Sequence, residues 1–399
     1  MLDNFLSLLY GVADMITAIP LPTGLQARFK ELAEARTVFY YYSKETIRQN
    51  CRLFQHITYP EKAIHFATMA NTHPEFLKVI REEGIKVFVN SLCHLDEVRT
   101  AGFNGEEIIY TASAMDEDTM RTVKEQKVLV NLDSLAQVEL WERLFPGTPC
   151  GVRCNIGEAV MPRKTRGGYF IGNESRLGLS REELATLHGR QTVRGLHLYV
   201  GTDILDISYF MDCYRELIRL SSGFPALEYL DFGGGFGVKE TETETEFDML
   251  LYSRLVTALM EDFSGRTGRR IRLILEPGRI LGAAAGHFIC RVVDVKFRGN
   301  KQLVGVNASS VQFPRPLFYP ESAVHPVSLL PANGRAADDT ELTTSIYGCS
   351  TYSRDFLARE VKLPQVHAGD VIVFGNAGSY CAASHTSFLG FPRAEEIFE

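Results

Sequence analysis

Residues 227–237 read LEYLDFGGGFG, a short apolar run that passes directly into a run of glycines. Similar apolar runs flank it: VRGLHLYV begins at Val193 and RLILE begins at Arg272. Five more precede them in the chain, namely AIHFAT from Ala63, KVFVN from Lys86, EIIYT from Glu107, KVLVNL from Lys127 and CGVRCNI from Cys150. Near-continuous apolar runs of this length are typical of strands that are buried on both faces.

Amphipathic stretches separate most of these runs, with apolar residues every three or four positions, as in PEFLKVIREEG from Pro74. Eight alternating strand–helix units predict an α/β chain with a closed parallel (β/α)8 TIM barrel, and a doubly wound open sheet is the alternative. After Gly282 the strand-like segments are separated by turns, which predicts an all-β C-terminal domain. We therefore expect an N-terminal helical segment that packs on the body at 1–36, the barrel at 37–282 and the β domain at 283–399. The segment RTVFYYYS from Arg36 adds a strand to the β domain or leads into the barrel.

The composition is that of an ordinary globular protein, with 45% hydrophobic and 23% charged residues among 399. A net charge of −7 gives no reason to expect a nucleic acid or an anionic membrane as a partner. The apolar N-terminus lacks a basic start and is interrupted by Asp3 and Asp14, so we interpret it as an amphipathic helix and not a signal peptide. The eight scattered cysteines suit free thiols in a reducing cytoplasm and complete no zinc set, so we expect a cytoplasmic protein without a metal site.

The C-terminal ends of the barrel strands are the expected position of a functional site. Successive N–H groups of a glycine run can converge on a phosphate, and TIM barrels commonly bind phosphate after strands seven and eight. The glycines from Gly233 and then Arg279 follow those two strands, although a flexible tight turn would also use glycines. Glu276 ends an apolar strand, where a carboxylate needs a partner: a protonated heterocyclic nitrogen, or a barrel arginine such as Arg153.

Four motifs together resemble the fold-type III pyridoxal-phosphate decarboxylases, which include the diaminopimelate, ornithine and arginine decarboxylases. They are SRLGL from Ser175, DFGGGFG from Asp231, EPGR from Glu276 and GSYCAASHTSFLGFP from Gly378. The resemblance extends from about Thr37 to the C-terminus. It implies a TIM barrel followed by a β domain, pyridoxal 5′-phosphate as cofactor and a small amino-acid-like substrate. It also implies a head-to-tail homodimer in which the partner's C-terminal domain completes each active site.

The resemblance assigns roles to individual positions. It implies that the cofactor phosphate is held, with Thr202 assisting, by Gly234, Gly235, Gly278, Arg279 and Tyr380. Glu276 is expected to pair with the pyridinium nitrogen and so keep the ring an electron sink. Arg153 is expected near the ring, and Tyr199 occupies the position at which most members stack a histidine on it.

Met69 is the main departure from the family pattern. The first strand of the family reads roughly Tyr-Ala-x-Lys-Ala-Asn, whereas this chain reads FATMAN, which puts Met69 at the position of the Schiff-base lysine. A thioether cannot form an imine, so a cofactor bound here is expected to be held non-covalently. Lys62 precedes the strand and Lys78 lies on the following helix, so neither is expected to reach the same point.

Other departures accompany Met69. Phe88 stands where the family has an aspartate that contacts the lysine, and His94 replaces a nearby glutamate. The motif that the partner supplies, Gly-Pro-x-Cys-[Asp/Glu]-x-x-Asp, here reads GCSTYSRD, which aligns Thr351 with the proton-donating cysteine and Asp355 with the final aspartate. These joint changes favour natural divergence over a single introduced Lys-to-Met replacement.

Three functional hypotheses follow. The first is a carbon–carbon lyase of the decarboxylase lineage with atypical or weak catalysis, which holds the cofactor non-covalently, accepts it already joined to the substrate amine, or uses pyridoxamine phosphate. The second is a non-catalytic decarboxylase-like regulator, and the third is an active decarboxylase that carries an introduced Lys-to-Met change. Arg163, Lys164 and Arg166 form a solvated basic loop or meet an anionic ligand. Arg315, in RPLFYP, resembles an arginine that binds a substrate carboxylate in diaminopimelate-type members.

Overall fold

The computed structural model describes residues 21–161, 168–320, 322–332, 335 and 340–399. Strand β1, Phe39–Tyr42, comes first and belongs to a second sheet. The next eight strands close into a parallel barrel, as the sequence predicted. These strands, β2 to β9, are Lys62–Ala67, Lys86–Val89, Ile108–Ala112, Leu129–Leu132, Cys150–Arg153, Val193–His197, Tyr229–Asp231 and Arg272–Leu275. The barrel closes where β2 pairs with β9, with Ile64 opposite Leu275.

Helices alternate with the barrel strands, and polar side chains at their N-termini cap several of them. Ser91 accepts a hydrogen bond from the backbone of His94, and Asp116 accepts one from Thr119. Such caps satisfy backbone N–H groups that have no partner within the helix. The helices, α1 to α11, are Thr23–Ala35, Lys44–Leu53, Pro74–Glu82, Leu92–Thr100, Glu117–Glu125, Leu135–Leu144, Arg181–Thr186, Ile207–Leu220, Met249–Thr267, Arg279–Gly282 and Arg315–Phe318.

Tyr229 fills the interior of the barrel at the N-terminal ends of the strands. Its ring lies with Ala63, Ile109 and Ile274 in a small apolar cluster, and its hydroxyl donates to the side-chain oxygen of Asn131 at 2.7 Å. A side chain at Gly195 would place a Cβ atom 1.8 Å from the Tyr229 ring, so the glycine leaves the space that the ring occupies. Side chains therefore pack the barrel interior at the N-terminal ends of its strands.

The C-terminal half forms an eight-stranded sheet to which β1 belongs. Its other strands, β10 to β16, are Gly286–Arg298, Lys301–Val306, Val327–Leu330, Leu342–Tyr347, Phe356–Leu363, Val371–Phe374 and Glu395–Phe398. The order is β12-β15-β10-β11-β13-β14, with β1 on β10 and β16 on β1. The segment RTVFYYYS thus contributes its strand to the β domain. The predicted limits of 37–282 for the barrel therefore include one strand of the second sheet, and the predicted boundary near residue 282 stays a prediction.

The predicted N-terminal segment is described only in part, because residues 1–20 lie outside the described ranges. Helix α1 buries Phe29 and Leu32 in a cluster with Tyr41 and Ile289 of the second sheet. Arg163, Lys164 and Arg166 also lie outside the described residues. All eight cysteines are unpaired. Among the described residues, no helix combines the length and the apolar character that crossing a membrane requires.

Candidate functional site

A cavity of about 520 Å³ opens at the C-terminal ends of the barrel strands. Its wall includes Ala67 at the end of β2, Ala112 at the end of β4 and His197 at the end of β7. Ten of the twelve predicted site residues also line it: Met69, Arg153, Tyr199, Thr202, Gly234, Gly235, Glu276, Gly278, Arg279 and Tyr380. Thr351 and Asp355 lie elsewhere.

Met69 lies in a single turn, Thr68–Ala70, directly after β2. No lysine lines the cavity among the described residues. The Lys62 ammonium group donates to the carbonyl of Ile57 near the start of β2, and Lys78 is exposed on α3. The described part of the cavity wall therefore offers a thioether at the end of β2, and neither neighbouring lysine supplies an amine.

The glycine loop after β8 borders the cavity with backbone groups. Gly233 and Gly235 have φ angles of 64° and 100°, a region that residues with a Cβ atom rarely adopt. A Cβ atom at Gly235 would also lie 2.3 Å from the carbonyl oxygen of Gly201. The N–H groups of Gly234 and Gly235 donate to no group among the described residues. Unpaired amides at a cavity wall fit an anion such as a phosphate.

Glu276 belongs to a buried cluster with His197 and Asp231 at the base of the cavity. Its Oε2 atom lies 3.2 Å from His197 Nε2, and potential ligand atoms of the three residues lie within 4.8 Å of one another. Burial raises the pKa of Glu276 to about 7 and lowers the pKa of His197 to about 4. Burial, together with the Glu276 charge, raises the pKa of Asp231 well above its ordinary range. At neutral pH His197 is therefore neutral.

The second oxygen of Glu276 is buried and accepts from no N–H or hydroxyl group among the described residues, although a hydrogen bond between the two carboxyl groups joins Glu276 to Asp231. Arg153, the alternative partner proposed from the sequence, lies 3.7 Å from Asp133, and within the described ranges no ion pair closer than 4.0 Å joins it to Glu276. A buried carboxylate with an unsatisfied oxygen at a cavity wall fits a protonated heterocyclic nitrogen, because such a partner favours the charged form.

Aromatic rings line the cavity beside this cluster. Tyr199 stacks on Phe170, with ring centroids 5.3 Å apart and planes inclined by 18°. The guanidinium carbon of Arg153 lies 5.7 Å from the centroid of the Tyr199 ring. Burial raises the pKa of the Tyr199 hydroxyl to about 12, so the phenol stays neutral. These flat surfaces suit a planar ligand.

Tyr380 brings the C-terminal half of the chain to the cavity. Its backbone N–H donates to the carbonyl of Ala70 at 2.8 Å, and its φ angle is 58°. Asp203, beside Thr202, also has a positive φ angle of 54°. Residues other than glycine in this conformation are strained and concentrate at functional sites.

Arg279 lines the cavity, but its guanidinium group already contacts two carboxylates. Its Nε atom lies 2.7 Å from Asp203, and a terminal nitrogen contacts Glu240. The role that the resemblance assigned to Arg279, phosphate binding, stays a prediction, and the neighbouring amides of Gly234 and Gly235 are the groups that remain unpaired.

Thr351 and Asp355 lie in the β domain, outside the cavity. Thr351 is exposed, whereas Asp355 is buried and accepts hydrogen bonds from Ser309, Ser310 and Ser350. In this chain Asp355 holds its own loop together, and its contribution to a partner's site stays a prediction.

Sequence reasoning did not select His197, Asp231 or Glu240 as site residues. His197 lies two residues before Tyr199 on the same run, and alternate residues of a strand share a face. Asp231 opens the glycine motif itself. The positions of His197 and Asp231 were therefore visible in the sequence, but their proximity to Glu276 and the contact between Glu240 and Arg279 were not.

A family profile described as "Pyridoxal-dependent decarboxylase, pyridoxal binding domain" matches residues 44–283. Diaminopimelate decarboxylase from Methanothermobacter thermautotrophicus is 28% identical over 387 residues, which cover 92% of this chain and 88% of that protein. The diaminopimelate decarboxylase from Streptomyces coelicolor is also 28% identical, over 92% of this chain and 85% of its own length.

Solved structures share the fold. Diaminopimelate decarboxylase from Helicobacter pylori, complexed with L-lysine, superposes with a TM-score of 0.82 at 19% identity over 93% of this chain and 94% of its own. Lysine/ornithine decarboxylase from Vibrio vulnificus, complexed with putrescine, has a TM-score of 0.79 at 18% identity over 95% and 99%. The common architecture is a closed eight-stranded barrel followed by a β domain.

Proposed function

Because this chain belongs to the pyridoxal-dependent decarboxylase family, we propose that it binds pyridoxal 5′-phosphate non-covalently in the cavity at the barrel mouth. The proposal includes a small amino-acid-like substrate and decarboxylation that is atypical or weak. One combination of features carries it: unpaired glycine amides and a buried carboxylate border the same cavity, whereas Met69 offers no amine there.

The residues of the cavity have separate tasks in this proposal. The amides of Gly234 and Gly235 bind the phosphate, and Glu276 accepts a hydrogen bond from the protonated ring nitrogen. Burial raises the pKa of Asp231 well above its ordinary range, which disfavours a second negative charge beside Glu276. When bound, the cofactor supplies an electron sink for charge that develops on the substrate. Met69 leaves the chain without a lysine at this position to exchange for the substrate amine, so turnover is expected to be slow.

A non-catalytic decarboxylase-like regulator is the second candidate. Two residues favour it: Met69 cannot bond to the cofactor, and Thr351 stands at the position of a proton-donating thiol in relatives. An active decarboxylase that carries an introduced Lys-to-Met change is the third, and it predicts that lysine at position 69 restores ordinary decarboxylation.

The proposal also includes a head-to-tail homodimer with shared active sites. Exposed rings in the β domain support it, because Phe388 is 63% exposed and packs edge-on against Tyr352, one residue after Thr351. Light scattering on the purified chain tests this part, and a monomer at micromolar concentration contradicts it.

Titration with pyridoxal phosphate, followed by borohydride reduction, tests the cofactor proposal. We expect saturable binding by the natural chain and removal of all pyridoxyl groups by dialysis after reduction. Met69→Lys should instead retain one pyridoxyl group per chain, because an imine to the new amine is reducible. Leu255→Lys, an added amine on the exposed face of α9, is the matched control and should retain none.

The possible results separate the hypotheses. Absence of binding refutes the cofactor proposal and leaves the regulator. Covalent retention by the natural chain shows that another lysine serves, which contradicts non-covalent binding. Full decarboxylase activity in Met69→Lys alone supports the third hypothesis over the first.

A further inference from the structure

Four buried charged residues form a closed cluster beside the cavity, which we name the Arg279 cluster: Arg279, Arg315, Asp203 and Glu240. Arg279 Nε lies 2.7 Å from Asp203 Oδ1, and an Arg279 terminal nitrogen contacts Glu240. Arg315 lies 3.0 Å from each of the same two carboxylates. Each arginine therefore contacts both acids, and two positive charges balance two negative ones.

His325 closes the cluster on the side of the β domain. Its Nδ1 atom donates to the carbonyl of Gly375 at 2.9 Å, which leaves Nε2 to accept from Arg315 at 3.2 Å. A histidine that accepts through Nε2 and donates through Nδ1 is neutral, so it adds no charge. Arg315 is thereby held by three partners, and its guanidinium group has little freedom to turn toward a ligand.

The Arg279 cluster lies where the barrel meets the β domain. Arg279 follows β9 and lines the cavity, Asp203 follows β7, and Glu240 follows the glycine loop. Arg315 begins α11 in the C-terminal half. The side-chain exposures are 4% for both arginines, 8% for Asp203 and 0% for Glu240, so water does little to screen the pairing. At this wall the cavity presents a guanidinium group whose charge is already compensated.

We infer that the Arg279 cluster excludes ligands with a second carboxylate, so that the substrate has a neutral or cationic end. This inference rests on the proposed function, because it concerns the part of an amino-acid-like substrate beyond its reacting carbon. A carboxylate that approaches Arg279 must displace Asp203 or Glu240 and leave it buried without a full partner, which is costly. A neutral amide or an ammonium group has no such requirement.

Two other cations line the described part of the cavity wall, Arg153 and Arg176. Arg153 lies 3.7 Å from Asp133, and its Nη2 atom is buried without a hydrogen-bond partner among the described residues. Arg176 is exposed, and ion pairs in water contribute little to affinity. A second carboxylate that met Arg153 would favour the carboxylate over its neutral amide, whereas one that met the Arg279 cluster would favour the amide, so the preference between the two distinguishes these positions.

Stable adducts of the cofactor and amino acids test this inference by binding alone. Phosphopyridoxyl-glutamate and phosphopyridoxyl-glutamine differ by one charge at nearly equal shape, and the adducts of 2-aminoadipate and its amide extend the series by one methylene. Dissociation constants for the natural chain are measured by fluorescence, with phosphopyridoxyl-alanine as the common reference. We expect each amide adduct to bind at least about ten-fold more tightly than its carboxylate counterpart.

Variants of the cluster test the cause. The measured quantity is the ratio of the dissociation constants of the carboxylate adduct and its amide counterpart. Glu240→Gln removes one of the two negative charges and should shift this ratio at least about ten-fold in favour of the carboxylate adducts. Glu242→Gln, an exposed acid two residues away, should not shift it. The double variant Glu240→Gln with Arg315→Gln restores neutrality and should return the ratio to that of the natural chain. If a variant does not fold, the ratio of dissociation constants measured for the natural chain still tests the inference.

Three results overturn the inference in distinguishable ways. Tighter binding of the carboxylate adducts by the natural chain refutes it while the proposed function stands. An unchanged ratio in a folded Glu240→Gln variant refutes the role of the Arg279 cluster. Failure of phosphopyridoxyl-alanine to bind refutes the proposed function, and the inference with it.

Discussion

Replacing Glu276 with glutamine should change how stability depends on pH. Burial raises the pKa of Glu276 from an ordinary 4.5 to about 7 in the ligand-free protein. The folded state therefore binds this proton more tightly than the unfolded state does. As a result, the free energy of unfolding falls as pH rises from 4.5 toward 7, and the loss is complete above 7.

The size of the effect follows from the same difference in pKa. At about 1.4 kcal/mol for each pH unit, ionised Glu276 costs the folded protein about 3 kcal/mol. Between about pH 5 and about pH 8 the loss amounts to about 2 to 3 kcal/mol, because part of the titration of the unfolded chain lies below pH 5. Glutamine has nearly the same shape and does not titrate, so Glu276→Gln should lack this loss.

Urea denaturation of both proteins at several pH values measures the effect. The difference between the unfolding free energies of Glu276→Gln and the natural chain should rise by about 2 to 3 kcal/mol in favour of the variant from about pH 5 to about pH 8. Glu125→Gln, at the exposed end of α5, is the control and should leave the profile unchanged. Parallel profiles for Glu276→Gln and the natural chain would refute the reasoning, because they would mean that Glu276 is ionised and compensated in the ligand-free fold.

Two further substitutions separate the cavity from the β domain. Gly235→Ala introduces a side chain where φ is 100° and a Cβ atom would lie 2.3 Å from the Gly201 carbonyl. It should weaken pyridoxal phosphate binding by at least about ten-fold in equilibrium dialysis. Unchanged binding would contradict the proposal that the amides of Gly234 and Gly235 bind the phosphate. Asp355→Asn removes a buried charged acceptor and should lower the free energy of unfolding by about 2 kcal/mol near neutral pH. Burial alone would raise the pKa of Asp355, but hydrogen bonds from Ser350 and Ser310 outweigh it and lower the pKa. This stabilisation should therefore be present above the ordinary aspartate pKa and disappear as pH falls below it. If the natural chain does not lose this stability at acid pH, the prediction is refuted.

The barrel could be predicted from the sequence because the pattern that identifies each strand lies within a few consecutive residues. Each of the eight apolar runs is short, and each reaches a turn or a glycine where the strand ends. Strands that are covered on both faces need apolar side chains at nearly every position, so the pattern is readable without any knowledge of contacts. The candidate site followed from the same pattern, since the C-terminal ends of parallel strands in a barrel meet at one edge. That argument brought Met69, the glycine loop and Glu276 to one cavity.

The placement of Phe39–Tyr42 needed the tertiary structure. Its three tyrosines and one phenylalanine suit a strand in either domain. The strand pairs with β10 and β16, which lie about 250 and 350 residues further along the chain. Which strands pair over such a separation depends on the strand edges that the complete fold leaves open. The sequence of Phe39–Tyr42 therefore does not indicate its partner strands.

The charge state of the site was also decided by tertiary structure alone. The sequence placed Glu276 and Arg279 at the cavity, but it did not show that Asp231 and His197 surround the first or that Asp203 and Glu240 compensate the second. Electrostatic energies depend on distance and burial, and residues from four separate segments meet in the Arg279 cluster. The amino-acid order thus determined which groups stand at the barrel mouth, and only the folded chain determined which of them keep a charge that a ligand can meet.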